Sequence, residues 1–392
     1  METNRSLAVE QALGDADPDR LVEVLESALR DRYGASMIEV RLVDYAMHSL
    51  QSTSPDVEPV TVEGSRQGRT FGAQEPHVTD EGGEETQVHL PVTIRGDRVG
   101  VLSVAVPTAD YSPALLEELQ HIATVTAREI TLAQRETDRF EVGRRSERLT
   151  LAAEMQWLLL PSRSCERSEF ALGAHLEPAY AIYGDGFDWS VSPEYLTVAV
   201  VNGMGEGVNA ALLTSLVIGA LRNARRAGLG LADQAALADE AVFAQHRGKA
   251  HVAALLLRIE LATGLLEVVD AGSPQMWRLR AGNVELTHPE QQMPLGMFGD
   301  TPFRAQSMRA EPEDRLLIAS DGVYGALSAT GESFGEHRLE RTIRATRLLR
   351  ASQVPTAMLR EVAEHHAGTA LDDAVVLCID WHGRPDDAAA TP

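Results

Sequence analysis

Residues 198–207, VAVVNGMGEG, decide how the second half of this chain is read. Four apolar residues run into Asn202, and then Gly203, Gly205 and Gly207 fall at every second position. A dinucleotide loop needs Gly-x-Gly-x-x-Gly and an acid about 20 residues later on the next strand. Here the spacing is Gly-x-Gly-x-Gly, and the next acid after Glu206 is Asp233, at what reads as a helix start. Asn-Gly favours a hairpin, yet an apolar helix pattern follows rather than a second strand. The turn therefore joins a strand to a helix, and its purpose has to be read from the residues around it.

Strand patterns surround it at residues 195–201 (YLTVAVV), 253–261 (AALLLRIEL), 265–272 (LLEVVDAG), 314–320 (DRLLIAS) and 374–381 (AVVLCIDW). Residues 209–228 have no breaker until Gly219 and are apolar almost all round in their first half, which predicts a buried helix partnered by residues 233–247. Two helices amid many strands predict an α+β sandwich. Acids stand at the ends of these elements: Asp185 between glycines in AIYGDGFDWS, Asp321 ending an apolar strand in LLIASDGVYGA, and Asp372 and Asp373 opening one in TALDDAVVLCID. Singly, each suits a turn or a cap. Together they are half-buried charges, costly unless paired or bound to a cation. None of these motifs contains lysine, and Mg²⁺ or Mn²⁺ suits such oxygen donors.

In chain order, AYAIYGDGFDW, VVNGMGEGVNAALL, VVDAGSPQMW, MPLGMF, DRLLIASDGVYGA and LDDAVVL resemble the metal-dependent protein phosphatases (PPM superfamily), in the bacterial branch of the stage II sporulation phosphatase. AAEMQWLLLP resembles the helix that leads into the domain in that branch. The resemblance implies a PPM-type antiparallel β-sandwich flanked by helices, with two Mn²⁺ or Mg²⁺ ions at one end. A water between the ions would attack a phosphoserine or phosphothreonine, so no side chain acts as nucleophile. Carried over by position, the metal ligands fall on Asp185, Asn202, Gly203 (through its carbonyl), Asp321 and Asp372, with Asp373 in support. The sequence departs from the family pattern in five places. Asn202 replaces the bridging Asp, Tyr183 the first Gly of Gly-Gly-Asp, and Glu206 a common His, while Asp270 and Ser273 interrupt Asn-Ala-Gly-His-Pro. An amide has one good oxygen donor and no charge, so one ion is expected here rather than two. The resemblance implies an enzyme acting on a phosphorylated regulatory protein of the anti-sigma factor antagonist type. Asn202 keeps open the alternative of a pseudophosphatase that binds without turnover.

The first part of the chain reads as helix (residues 19–32), strand (36–45), a long loop or partly disordered insert (51–85), a hairpin turning at RGD, and a Ser-Pro-started helix from residue 112. That order resembles a GAF domain, an α/β sensor of small-molecule signals; a dimerisation or scaffold domain of the same shape is the alternative. The expected organisation is a GAF-like sensor domain at 15–133, a connector helix at 134–160 that could form a homodimer, the phosphatase domain at 161–382 and a disordered tail at 383–392.

Composition narrows the partners. In 392 residues, 58 acids against 35 Lys and Arg leave a net charge of -23, which disfavours nucleic acid and anionic membranes. Cys165 and Cys378 are too few for a disulfide framework. No basic-then-apolar leader opens the chain, and the longest apolar-rich run, residues 210–221, is too short for a bilayer. A soluble cytoplasmic protein is expected. His246 and His251, beside RGKA, read as surface or capping residues, and Trp157, Trp189, Trp277 and Trp381 as packing.

Overall fold

The computed structural model describes residues 5–384 apart from 55, 80–82, 182–183 and 367–372. It divides into two compact units, Met1–Arg148 and Leu149–Pro392. In the first, α1 (Arg5–Gly14) and α2 (Leu21–Tyr33) precede β1 (Met37–Val43), β2 (Ser49–Ser52), β3 (Val60–Thr61), α3 (Arg66–Ala73), β4 (His77–Thr79), β5 (Glu85–Ile94), β6 (Asp97–Pro107), α4 (Pro113–Ala133) and α5 (Arg139–Gly143). The strands make one antiparallel sheet in the order β3-β2-β1-β6-β5-β4. The expected hairpin is β5–β6, closed by Arg95 and Gly96 at φ 51° and 88°, the left-handed pair that matches the twist of its strands. Ser112 caps α4, its Oγ accepting from the Leu115 N–H at 3.2 Å. Alternation along the hairpin sends Val88, Leu90, Val92, Leu102, Val104 and Val106 into the core shared with α1, α2 and α4.

Two expectations fail at this point. Residues 51–85 are not a loop or disordered insert, because they carry β3, α3 and β4. Their apolar residues are few but concentrated: Val60, Val62 and Phe71 pack on Val43, Met47, Leu50 and Val101, and Ser65 Oγ accepts from the Gly68 N–H at 2.8 Å to start α3. Residues 134–160 are not one connector helix either. Phe140 is fully buried in the core of the first unit, worth about 1.5–3 kcal/mol, so α5 is set by packing rather than by continuation of α4. Thr150 then opens a new helix, its Oγ accepting from the Ala153 N–H at 3.2 Å.

The second unit runs α6 (Leu151–Leu159), β7 (Ser164–Glu166), β8 (Phe170–Glu177), β9 (Asp185–Val191), β10 (Tyr195–Gly203), α7 (Gly207–Arg226), α8 (Leu231–His246), β11 (Val252–Glu260), β12 (Leu265–Ala271), β13 (Gln275–Arg280), β14 (Asn283–Leu286), β15 (Gln306–Arg309), β16 (Arg315–Ala319), α9 (Asp321–Tyr324), α10 (Phe334–His337), α11 (Leu339–Ala345), α12 (Val354–His365) and β17 (Ala374–Trp381). Two antiparallel sheets form, β15-β12-β11-β10-β9 and β14-β13-β16-β17-β8-β7. The five strands expected from sequence are β10, β11, β12, β16 and β17. The other six are short, or interrupted by polar residues and glycine, and their pairing comes from these neighbours.

Each sheet is covered by helices on one face. Ala199 and Val201 of β10 pack with Leu213, Val217, Ala235 and Val242 of α7 and α8, while Val376 and Cys378 of β17 pack with Met358 and Val362 of α12. The alternate residues Val198, Val200, Val375, Leu377 and Ile379 are buried on the opposite faces. With both faces buried and helices on only one, the remaining faces meet as a sandwich core. Among the described residues no helix is long and apolar enough to cross a membrane. Tyr183, Asp372 and residues 385–392, most of the expected disordered tail, lie outside the described residues.

Candidate active site

The glycine turn stands where β10 leaves the sheet. Gly205 and Gly207 adopt φ 104° and 63°, a region that costs a residue with a side chain about 1–2 kcal/mol, and this lets the chain pass from β10 into α7 within three residues. Antiparallel register sets Asn202 opposite Asp185, the first residue of β9. The third position arrives from the other sheet. Asp321 does not end a strand as the sequence suggested: β16 stops at Ala319 and Asp321 opens α9. The reason is Ser320, whose Oγ accepts from the Val375 N–H at 2.9 Å while its own N–H donates to the Val375 carbonyl at 3.1 Å. This ties the end of β16 to β17 and turns the chain. Asn202 Nδ2 then donates to Asp321 Oδ1 at 2.6 Å. Asp185, Asn202, Gly203 and Asp321 thus come together at one end of the sandwich.

Asp185 is 2% exposed, and its backbone is held from several directions. Asp373 Oδ2 accepts from the Gly184 N–H at 2.7 Å and the Asp185 N–H at 3.1 Å. Gln156 Nε2 of α6 donates to the Asp185 carbonyl at 3.1 Å. Thr214 Oγ1 of α7 and the Gly203 N–H both donate to the Gly184 carbonyl, at 2.6 and 3.0 Å. A Cβ on Gly184 would lie 2.1 Å from the Gly203 oxygen, so only glycine admits this approach. Gln156 and Thr214 were missed in the sequence. A fully buried amide inside the apolar AAEMQWLLLP was a usable signal for the first; the threonine carried none.

The end of the sandwich is electronegative. Burial pushes the Tyr324 phenol above its ordinary range; the Ser273 hydroxyl beside it opposes this, and the charges of Asp321, Asp185 and Asp270 add to the rise, while the phenol donates to the Ser273 carbonyl at 2.6 Å. Burial also raises Asp270, opposed by the hydrogen bond from the Gly272 N–H. Asp188, three residues beyond Asp185, belongs to different chemistry: it accepts from Arg222 and Arg225 of α7 at 2.8 Å each and fastens that helix to β9.

The donors present are hard oxygens, which suits Mg²⁺ or Mn²⁺. Among the described residues no three carboxylate, imidazole or thiolate groups meet closely enough to hold an ion. Asn202 is the departure that matters, since its NH₂ faces Asp321 where the family pattern sets a second anion.

Residues 192–382 match the sequence model of the family described as stage II sporulation protein E (SpoIIE). The chain is similar to Protein IcfG of Synechocystis sp., at 22% identity over 220 residues, 49% of this chain and 35% of that protein. It is also similar to Phosphoserine phosphatase RsbP of Bacillus subtilis, at 26% identity over 131 residues, 32% of each. The chain spans about a third of the length of these two relatives. Among solved structures, the RsbU and RsbW domains of Rv1364c from Mycobacterium tuberculosis superpose with a TM-score of 0.50 at 20% identity, over 59% of this chain and 63% of that one. This similarity bears on the fold alone.

Proposed function

We propose that the chain hydrolyses phosphoserine or phosphothreonine on a bacterial regulatory protein, of the anti-sigma factor antagonist type, with Mn²⁺ or Mg²⁺; the match of residues 192–382 to the SpoIIE family model supports this reading. The observation that carries this reading is the meeting of Asp185 and Asp321, from different sheets, on either side of Asn202. Asp185, Asp321, the Asn202 Oδ1 and the Gly203 carbonyl would hold the ion, with Asp372 in the same role. The bound ion supplies charge neutralisation at the phosphoryl group and lowers the pKa of an attacking water. The protein's own part is orientation: Asp373, Gln156 and Thr214 hold the backbone at 184–185, and Ser320 sets where Asp321 leaves β16. The first unit is read as the GAF-like sensor of a small-molecule signal, and the exposed apolar residues Leu151 and Leu158 of α6 as a surface for a homodimer, in the cytoplasm.

A second reading has its own observation. The Asn202 NH₂ on Asp321 occupies an oxygen that an ion would otherwise take, which favours a pseudophosphatase that docks its phosphoprotein without turnover. Hydrolysis of p-nitrophenyl phosphate with and without Mn²⁺ separates the two. The enzyme reading expects slow metal-dependent turnover by the wild type, and a higher Mn²⁺ stoichiometry and rate in Asn202→Asp. If neither protein shows metal-dependent hydrolysis, the pseudophosphatase reading replaces it.

A further inference from the structure

Residues 246–251, HRGKAH, border the site. α8 ends at His246, and Arg247 and Gly248 take φ 53° and 77°, turning the chain into β11. β11 begins at Val252, opposite Gly203, and the His251 carbonyl accepts from the Met204 N–H at 3.2 Å. On the other side a Cβ on Gly248 would lie 2.9 Å from the Met297 oxygen. The turn is therefore wedged between the glycine turn and the loop that carries Met297 and Phe298. Lys249 is the only lysine in the chain. Arg247 and Lys249 are exposed, and neither has a side-chain ion pair or hydrogen bond among the described residues. By contrast, Arg222, Arg225, Arg258, Arg280 and Arg315 of the same unit all hold carboxylates.

Two positive charges without partners among the described residues, in a chain of net charge -23 and on a turn that meets the glycine turn at Met204, call for an anionic visitor. An extended peptide advances about 3.3 Å per residue, and neighbouring strands lie about 4.8 Å apart. Asn202 lies opposite Ala253, four residues beyond Lys249 and six beyond Arg247, so these charges face positions a few residues from the phosphorylated one rather than the phosphate itself. Met204 and Phe298, 52% and 55% exposed, offer apolar contact on the two flanks. We propose that Arg247 and Lys249 read acidic residues flanking the phosphoserine or phosphothreonine of the substrate protein, and so set its specificity. This rests on the phosphatase reading for the identity of the visitor, and its test is made on binding so that the two can fail separately.

The test uses the full chain with Mn²⁺ and two fluorescein-labelled decapeptides. Both carry a non-hydrolysable phosphonate analogue of phosphoserine, one flanked by Asp and Glu and the other by Ala and Gln. The wild type is expected to prefer the acidic peptide about tenfold at low salt, the sum of several exposed charge contacts. The preference should vanish in Arg247→Glu/Lys249→Glu and in the milder Arg247→Gln/Lys249→Gln, which guards against misfolding of the reversed pair, and should shrink in 0.5 M NaCl, a salt level of roughly 4 Å screening. No preference in the wild type, or a preference retained by both variants, overturns the proposal. A wild type that shows the preference but hydrolyses neither corresponding phosphoserine peptide would sink the phosphatase reading and leave this surface standing.

Discussion

Asn202 is the residue on which the chemistry turns. In a site that gathers Asp185 and Asp321, an amide that donates to one of them at 2.6 Å does part of what a cation would do: it satisfies an anion and links β10 to α9 without metal. A hydrogen bond to a charged group contributes about 1.5–3 kcal/mol. Asn202→Asp would replace it with a third like charge. The variant is expected to melt about 5 °C or more below the wild type in EDTA, and to recover most of that difference on adding Mn²⁺. Differential scanning calorimetry with and without the metal reads both effects; equal melting temperatures in EDTA would mean that the Asn202–Asp321 contact contributes nothing to the fold. Asn202 was legible as a departure because a motif prescribes a residue type. The resemblance set Asp321 in the same ligand group, but that the Asn202 amide donates directly to it, across 119 residues of sequence, was not legible.

At the scale of elements, the strand β5 shows what pattern alone left out. His89 is 2% exposed, its Nδ1 lies 2.8 Å from Ser103 Oγ on β6, and it stacks on His77 of β4, which sits opposite it. Burial lowers its pKa to about 4, helped by the nearby charges of His77 and Arg66. The sign follows from where the proton binds. The unfolded chain takes it near pH 6.5 and the folded sheet only near 4, so stability is lost as pH falls through that window, by up to about 3 kcal/mol for a shift of this size. Hydrogen exchange of β5 and β6 amides, normalised for the intrinsic rate, should show lost protection between pH 7 and 4.5 in the wild type. The loss should be smaller in His89→Asn, which keeps a side-chain partner for Ser103. An equal loss in both would assign the acid sensitivity to other groups. The hairpin itself was legible from alternating residues around a Gly-containing turn. The short α3 and β4 beside it were not, because a segment poor in apolar residues folds when those few meet one cluster, and average composition does not register where they meet.

At the scale of the molecule, Met1–Arg148 and Leu149–Pro392 form separate compact units, and all four tryptophans lie in the second. A fragment of residues 149–392 is expected to unfold cooperatively in urea with the same tryptophan emission maximum as the full chain. A red-shifted spectrum without a transition would show that the second unit needs the first in order to fold. The sequence by itself determined the fold class of the second unit, because strand alternation, a buried helix and ordered motifs are local properties that survive in one dimension. Tertiary structure alone decided the rest: that Ser320 turns Asp321 out of β16, that Gln156, Thr214 and Asp373 hold the backbone beneath Asp185, and that HRGKAH borders the glycine turn. Each of these depends on hydrogen bonds or contacts between residues distant in sequence. A residue's type limits what it can bond to, but only the packing of two sheets and their helices determines which partner comes within reach.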